Sequence, residues 1–411
     1  MSAIAYQYPE EIQALRDGLA AFIHAEVIPR HEANASLLDD EHRRFTPDGR
    51  YHPDVLRLMR EVRAAAAKAG YYAMCVPESL GGMGMGYLAW FAAWEQITTS
   101  CEGRYWLGEV TVSHWATGPS PVLEHLTPEA RERLLPGMMR GETTMCFGMS
   151  EPDAGSDAMM MKTRAVPDGD GWLISGSKIW TTNSPYADYC IVFAVTDAEA
   201  AAKRKGGISA FLVPTSSPGF EIQRVIRMWG HAGGNEAVLS LQDVRVEPWQ
   251  LVGKLHKGFA TAMLGVNLGR IYNSARAVAL GRWAIHQALE YAKIRKTFGK
   301  PITEYQGVTF PLADSAMAVH AAHLMGLNVC QLLDSGHPAR KELSMTKAFS
   351  VQAATQALDR AMQAHGAIGM TNEMHLCHSF LRMRMLNVAD GTNEILRRTI
   401  IKEMLDEGVD L

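Results

Sequence analysis

The spacing of apolar positions changes twice along the 411 residues. From Pro9 to about Gly141 it is helical: Ile12, Leu15, Leu19, Phe22 and Ile23 recur on one face, and Val55, Leu58, Met59 and Val62 do the same. Pro9 suits a first helical turn, where its missing N–H costs nothing. The glycines of Gly81-Gly82-Met83-Gly84-Met85-Gly86 predict a loop before the next helix. From about Met145 to Gly253 the pattern shortens into apolar runs at Trp172-Leu173-Ile174, Tyr189 to Val195, Ile208 to Val213 and Val238 to Leu241. Asp168-Gly169-Asp170-Gly171 predicts a tight hairpin between two such runs. After Gly258 long helical segments return at 258–295, 304–334, 339–364 and 392–407, broken by Gly299-Lys300-Pro301 and Gly336-His337-Pro338.

These textures predict a mainly α protein with a central β-domain. An N-terminal helical domain (1–144) precedes a small antiparallel β-barrel or sandwich (145–254), and a C-terminal four-helix bundle (255–411) closes the chain. Composition narrows the partners more than the chemistry. With 47% hydrophobic and 20% charged residues the chain reads as a globular protein. A net charge of −4 gives no basic face for nucleic acid. Six scattered cysteines without a CxxC pair are expected to be buried free thiols, as in a reducing cytoplasm. The first residues, MSAIAYQYPEEIQALRDG, place acids where a signal peptide needs a positive start, and no stretch reads as a bilayer span. A soluble cytoplasmic protein with no metal cluster is therefore expected.

Three segments carry candidate chemistry. Met145 to Asp157 reads MCFGMSEPDAGSD, a strand end running into a turn with small Ala154 and Gly155 and the Ser156 hydroxyl. Such backbone can approach an anion or a flat ring closely, or can be a plain surface turn. Lys178-Ile179-Trp180-Thr181-Thr182-Asn183 sets an indole beside two hydroxyls. That arrangement serves a flat heteroaromatic cofactor, and an isolated Trp180 would equally read as core. In Ile294-Arg295-Lys296-Thr297-Phe298-Gly299-Lys300-Pro301, Arg295 can chelate a pyrophosphate and Phe298 can cover an adenine. A basic helix end offsetting its dipole is the alternative there.

In this order the three motifs resemble the acyl-CoA dehydrogenase family. The resemblance continues through Gln363-Ala364-His365-Gly366-Ala367-Ile368-Gly369, similar to the family's QxxGGxG turn, to Ala389-Asp390-Gly391-Thr392-Asn393-Glu394 in place of its Y-E-G-T. It implies FAD as cofactor, an acyl-CoA substrate, an electron-transferring flavoprotein as electron acceptor, and a homodimer or homotetramer. By that resemblance Phe147, Met149, Ser150, Trp180, Thr181 and Thr182 contact the flavin ring, and Gly155 and Ser156 lie near ligand phosphates. Arg295, Thr297, Phe298, Gln306, Gln363, Gly366 and Ala367 reach the FAD of a neighbouring subunit, while Thr392 and Glu394 flank the cofactor after the catalytic turn. Asn267, Arg270 and Gly391, with Ser156, fall where the family contacts acyl-CoA.

The implied reaction is α,β-dehydrogenation of a thioester to the trans-2-enoyl-CoA. It needs a base for the α-proton, donors on the carbonyl oxygen, and a hydride acceptor, flavin N5. The resemblance gives the carbonyl a ribityl hydroxyl and the base residue's own N–H. Most members carry Glu as base and a second group places it just before the arginine corresponding to Arg270; here those positions hold Asp390 and Gly269. Asp390 is thus the candidate base, one C–C bond or about 1.5 Å shorter than Glu, and small Ala389 leaves room for the turn to shift. Burial would raise its pKa, while Arg270 and the following helix N-terminus would lower it. Asp390 could instead be a helix N-cap, and Arg270 a structural ion-pair partner.

Trp90, Phe91, Trp94, Tyr105, Trp106 and Trp115 crowd the segment where the family forms its acyl pocket. They read either as helix-packing core or as a pocket for a compact, branched or ring-bearing acyl group. Two other functions remain open on the same fold. One is an oxidase reducing O₂, acyl-CoA oxidase or nitroalkane oxidase-like, the latter also with an Asp base; the other is a non-catalytic flavoprotein scaffold.

Overall fold

The computed structural model describes residues 6–228 and 231–409; residues 1–5, on which part of the leader reading rests, lie outside them. Helix α1 (Glu10–Phe22) begins one residue later than the sequence predicts, with Pro9 as its N-cap and Glu10 and Glu11 favouring the positive helix end. Helix α2 (Pro53–Lys68) buries Val55, Leu58, Val62 and Ala66, the expected helical stripe. Helix α3 (Tyr87–Cys101) starts where the Asp334 carboxylate accepts from Tyr87 N at 2.6 Å and Leu88 N at 2.9 Å. A Cβ on Gly86 would lie 2.3 Å from Asp334 Oδ1, so this long-range cap requires glycine before the helix. Thr127 caps α4 (Pro128–Met139) through the Ala130 amide.

Eight strands follow: β1 (Met145–Gly148), β2 (Arg164–Asp168), β3 (Gly171–Thr182), β4 (Tyr189–Val195), β5 (Ile208–Pro214), β6 (Phe220–Val225), β7 (Glu236–Val246) and β8 (Leu251–Val252). They form one sheet in the order β6-β7-β3-β2-β4-β5-β8, with β1 on β4. The sheet is mainly antiparallel, but β1 and β2 each pair with β4 in parallel. Asp168 faces Gly171 in register, as the hairpin motif requires, and Gly169 supplies φ +61°. In β4, Ile191 and Phe193 join one apolar cluster while Cys190, Val192 and Ala194 join another; β5 divides in the same way. Period-two side chains buried on both faces explain why these runs are continuously apolar.

The remaining helices of more than five residues are α5 (Gly258–Ile294), α6 (Gln306–Asp334), α7 (Arg340–His365), α8 (Leu376–Leu386) and α9 (Asn393–Glu407). Four of these match the predicted segments. The short α8 went unpredicted, because eleven residues after a glycine-rich turn give the helical period little length. The residues group into two compact units: Met1–Ile28, Met85–Glu109 and Asn267–Leu411 in one, Pro29–Gly84 and Val110–Val266 in the other. In the first, Ala277, Leu280, Ala284 and Ala288 of α5 pack with Val351, Ala354, Leu358 and Ala361 of α7 and with Leu376 and Met383 of α8. Contrary to expectation, α6 is long and apolar enough by composition to cross a bilayer. It packs against α3 and α7, as a core helix of a bundle does. All six cysteines are free thiols, four of them buried.

The same helical unit holds a buried acid. Glu95 of α3 accepts from Arg282 Nη1 at 2.5 Å and Tyr8 Oη at 3.2 Å, with His323 Nε2 at 3.3 Å and Arg16 at 3.9 Å. Burial pushes its pKa up, but the bond and charge of His323, then Arg282 and Arg16, carry it from an ordinary 4.5 down to about 2.

Candidate functional site

In the sheet unit, the turn after β1 is built around two residues to which the sequence reading gave no role. Glu151 is buried and accepts from the Lys162 and Thr163 amides at 2.5 and 3.0 Å and from Lys178 Nζ at 2.7 Å. Lys178, fully buried on β3, also donates to the Met149 carbonyl at 3.2 Å. Burial raises the Glu151 carboxyl, but Lys178 and the amides bring it below the usual range. The ion pair therefore fixes the loop carrying Met149, Ser150 and Gly155. Ile179 N donates to the Ser150 carbonyl at 3.0 Å, tying that loop to β3. The sequence signal was a lysine at an inward position of an alternating strand, which needs a buried acid.

At the end of β3, Trp180 has φ +60° and is 53% exposed. A bulky residue held left-handed with its indole facing solvent is not core, which removes the plainer reading. Next to it Thr181 is buried, and its hydroxyl has no hydrogen-bond partner. Thr182 is partly buried, Ser156 is exposed, and a Cβ on Gly155 would meet nothing within 4 Å. Phe147 packs edge-on against Trp115 with centroids 4.8 Å apart. An open aromatic face, an orphaned hydroxyl and an uncrowded glycine turn fit an isoalloxazine with its phosphates.

In the helical unit, Asp390 and Gly391 take consecutive left-handed conformations, φ +53° and +93°. A non-glycine residue there costs about 1–2 kcal/mol, least for Asp or Asn. The turn is held from two helices. Arg270 Nε on α5 donates to the Asp390 carbonyl at 3.1 Å, and Lys347 Nζ on α7 donates to the Gly391 carbonyl at 2.9 Å. Asn273 Nδ2, one helical turn after Arg270, donates to Asp390 Oδ2 at 2.7 Å. Arg270 Nη1 also donates to Asn267 Oδ1 at 3.2 Å, so Asn267, Arg270 and Asn273 share one face of α5. The α9 N-cap is Thr392, whose hydroxyl accepts from Ile395 N, and not Asp390. Among the described residues, no ion pair within 4 Å joins the Asp390 carboxylate to either cation.

Burial dominates at Asp390 and raises its pKa, with Lys347, Arg270 and the Asn273 amide pulling the other way. Lys347 is itself pushed down to about 8 by burial. Asp390 was legible in the sequence; Asn273 and Lys347 were missed. The available signals were a polar residue three positions after Arg270 and a lysine well inside an alanine-rich helix.

The other predicted residues lie at the ends of helices in this unit. Arg295 follows α5, and Phe298, with φ +48°, is 96% exposed at the tip of the small hairpin Lys296–Thr297 with Lys300–Pro301. Tyr305 Oη donates to the Thr297 carbonyl at 2.9 Å, and Gln306 opens α6. Tyr291 stacks on His365 at 4.5 Å, which sets the end of α5 beside the exposed turn of Gln363, Gly366 and Ala367. Thr392 and Glu394 line a separate cleft with Gln352, Asn387 and Asn393. The aromatic residues are mostly core: Trp90, Phe91, Trp94 and Trp115 are buried, while Tyr105 and Trp106 are partly so. Trp94 meets Tyr272 edge-on, and Trp90 Nε1 donates to the Leu268 carbonyl.

A platform for a flat cofactor and a carboxylate kept basic are the needs of a flavin-linked enzyme that oxidises a C–H bond. Comparison with known proteins gives the family. The N-terminal, middle and C-terminal domain models of acyl-CoA dehydrogenase match residues 9–142, 146–244 and 256–405. The chain is 33% identical over 399 residues to the mitochondrial short-chain specific acyl-CoA dehydrogenase of Bos taurus, covering 97% of this chain and 91% of the relative. It is 32% identical over 348 residues to a 3-(aryl)acrylate reductase of Clostridium sporogenes, covering 84% and 90%. The solved butyryl-CoA dehydrogenase of Megasphaera elsdenii superposes with a TM-score of 0.81 at 25% identity, covering 98% of this chain and all of that one. The chain belongs to the acyl-CoA dehydrogenase family. It is therefore an FAD-dependent oxidoreductase.

Proposed function

We propose that the protein dehydrogenates an acyl-CoA thioester to the trans-2-enoyl-CoA, with Asp390 removing the α-proton. The observation that carries this is the Asp390 turn. Its carboxyl is raised by burial, its side chain is oriented by Asn273, and its backbone is held by Arg270 and Lys347. A raised carboxyl is a stronger base than a free aspartate. Among the described residues no acceptor takes the Asp390 N–H, which leaves that donor for the thioester oxygen as enolate character develops. Bound FAD supplies the acceptor for the β-hydride at N5.

Phe147, Met149, Ser150, Trp180, Thr181 and Thr182 would hold the flavin ring, with Gly155 and Ser156 toward the phosphates. Thr392 and Glu394 would flank the same cofactor, while Asn267, Arg270 and Gly391, with Ser156, would contact acyl-CoA. Arg295, Thr297, Phe298, Gln306, Gln363, Gly366 and Ala367 would serve the FAD of a second subunit. Phe298, nearly fully exposed on a strained turn, has the character of a residue completed by a partner. Phe310, Met317 and Leu324 form an exposed apolar row at seven-residue spacing on α6, which a homodimer or homotetramer would cover. The domains would run 1–144, 145–254 and 255–411, in a soluble cytoplasmic enzyme passing electrons to an electron-transferring flavoprotein.

The test is anaerobic bleaching of the flavin by a panel holding butyryl-CoA and 3-phenylpropionyl-CoA, probes chosen from the names of the relatives. Bleaching in the parent and its loss in Asp390→Asn at full FAD occupancy is the expected result. Equal bleaching in both proteins would point to another base. Hydrogen peroxide release outpacing turnover with a flavoprotein acceptor would favour the oxidase.

A further inference from the structure

We infer that Asn273 and Lys347 are positioning residues for Asp390: Asn273 selects which carboxylate oxygen faces the substrate, and Lys347 sets where the turn stands. This rests on Asp390 being the base.

The two act on different atoms. Asn273 Nδ2 ties Oδ2 at 2.7 Å, leaving Oδ1 to receive a proton. A carboxylate on one Cβ turns about two bonds, so one short bond to one oxygen fixes the direction of the other. Lys347 does not touch the carboxylate. It reaches from α7 to the Gly391 carbonyl at 2.9 Å, while Arg270 holds the Asp390 carbonyl from α5 at 3.1 Å. Two cations on successive carbonyls pin a pair of left-handed residues that would otherwise relax. A short side chain has no slack of its own, and misplacement by about 1 Å can cost on the order of a hundredfold in rate. Asn273 is 2% exposed and Lys347 fully buried. A buried ammonium is costly and is retained where it makes a specific bond.

The charged groups acting on this carboxylate are Arg270 from α5 and Lys347 from α7; the carboxylate in turn raises the Tyr272 phenol of α5, and Glu394 of α9 acts on Lys347. Lys347, Arg270 and the Asn273 bond all favour the anion. Removing the amide or the ammonium therefore raises the pH at which the base ionises. Loss of packing alone would slow the reaction without moving that pH.

The experiment uses the FAD-loaded protein and anaerobic bleaching by butyryl-CoA across a pH series. Asn273→Leu and Lys347→Met are expected to keep flavin content and visible spectrum, to bleach roughly ten- to a hundredfold more slowly, and to shift the rising limb of the profile upward. Asn273→Ser, smaller and still polar, replaces the leucine variant if that chain does not load FAD. Profiles superimposable on the parent's, with or without a change in rate, overturn the inference. Asp390→Asn, run beside them, separates the two claims: if it bleaches normally the base assignment falls, and if it alone is inactive the base stands while the positioning roles fall.

Discussion

Two carboxylates in the helical unit, Glu95 buried and Asp390 partly buried, show how placement of cations decides what an acid can do. Glu95 meets Arg282 directly at 2.5 Å, with His323 and Arg16 around it, and its pKa falls to about 2. Asp390 also has two cations nearby, but Arg270 and Lys347 spend their bonds on backbone carbonyls, and its pKa rises. Direct pairing with Arg282 holds Glu95 as an anion. Holding the turn instead leaves the Asp390 carboxylate able to take a proton. The first arrangement joins α3, α5 and α6; the second prepares a base.

The largest effect should come from replacing each acid by its amide. Asp390→Asn is expected to bind FAD and to lose flavin reduction by about 10²–10⁴-fold or more. The same variant should melt higher than the parent at neutral pH. The sign follows from linkage: a carboxyl whose folded pKa exceeds its unfolded one holds the proton more tightly when folded, so its ionisation lowers stability as pH rises through that interval. The substituted amide would retain an acceptor for Asn273 without the buried charge. A lower melting temperature for Asp390→Asn would break the contrast.

Glu95→Gln should do the reverse. Removing the charge of this buried acid should cost about 1.5–3 kcal/mol, the usual worth of hydrogen bonds to a charged group, because its arginine partners reach solvent and keep part of their hydration. The holoenzyme should melt lower while flavin bleaching by acyl-CoA persists. Here the folded pKa is depressed, so Glu95 contributes stability above about pH 4.5 and loses it as pH falls toward 2. The gap between parent and Glu95→Gln should therefore narrow across that interval. A gap that stays constant with pH would mean the loss is packing alone.

How much of this the sequence revealed depended on whether the information was local. Asp390 and Trp180 sit in short motifs whose neighbours announce a turn or a strand end, and so both were legible. The αβα order was equally legible, because period 3.6 and period 2 are properties of consecutive residues. Asn273 and Lys347 lie 117 and 43 positions before Asp390, and only the packing of α5 and α7 against the turn brings them to it. Glu151 and Lys178 are 27 apart and meet only through the fold of β3. For Asp390 the direction of the pKa shift was unreadable for the same reason: it sums burial with groups from two helices, α5 and α7. The hydropathy of α6 misled differently, since a helix buried on one side and apolar on the other resembles a span by composition alone.

A third carboxylate completes the series, with the smallest expected effect. Asp334 is exposed and, among the described residues, pairs with no cation within 4 Å; it accepts the Tyr87 and Leu88 amides at the start of α3, where the helix dipole favours a negative group. Asp334→Ala should cost about 0.5–2 kcal/mol, the usual loss for a cap, with bleaching unchanged. Gly86→Ala tests the geometry behind it. The new methyl would lie 2.3 Å from Asp334 Oδ1, so it should expel the cap in the parent and destabilise at least as much as Asp334→Ala. Its backbone at φ −75° accepts alanine, so once Asp334 is gone the same substitution should be neutral or add a few tenths of a kcal/mol, about 0.4–1, through the unfolded chain. Thermal melts of the four proteins in a double-mutant cycle would read this as strong coupling. Additive effects would mean that the carboxylate and the glycine act independently, and that the close approach at Gly86 does not govern the start of α3.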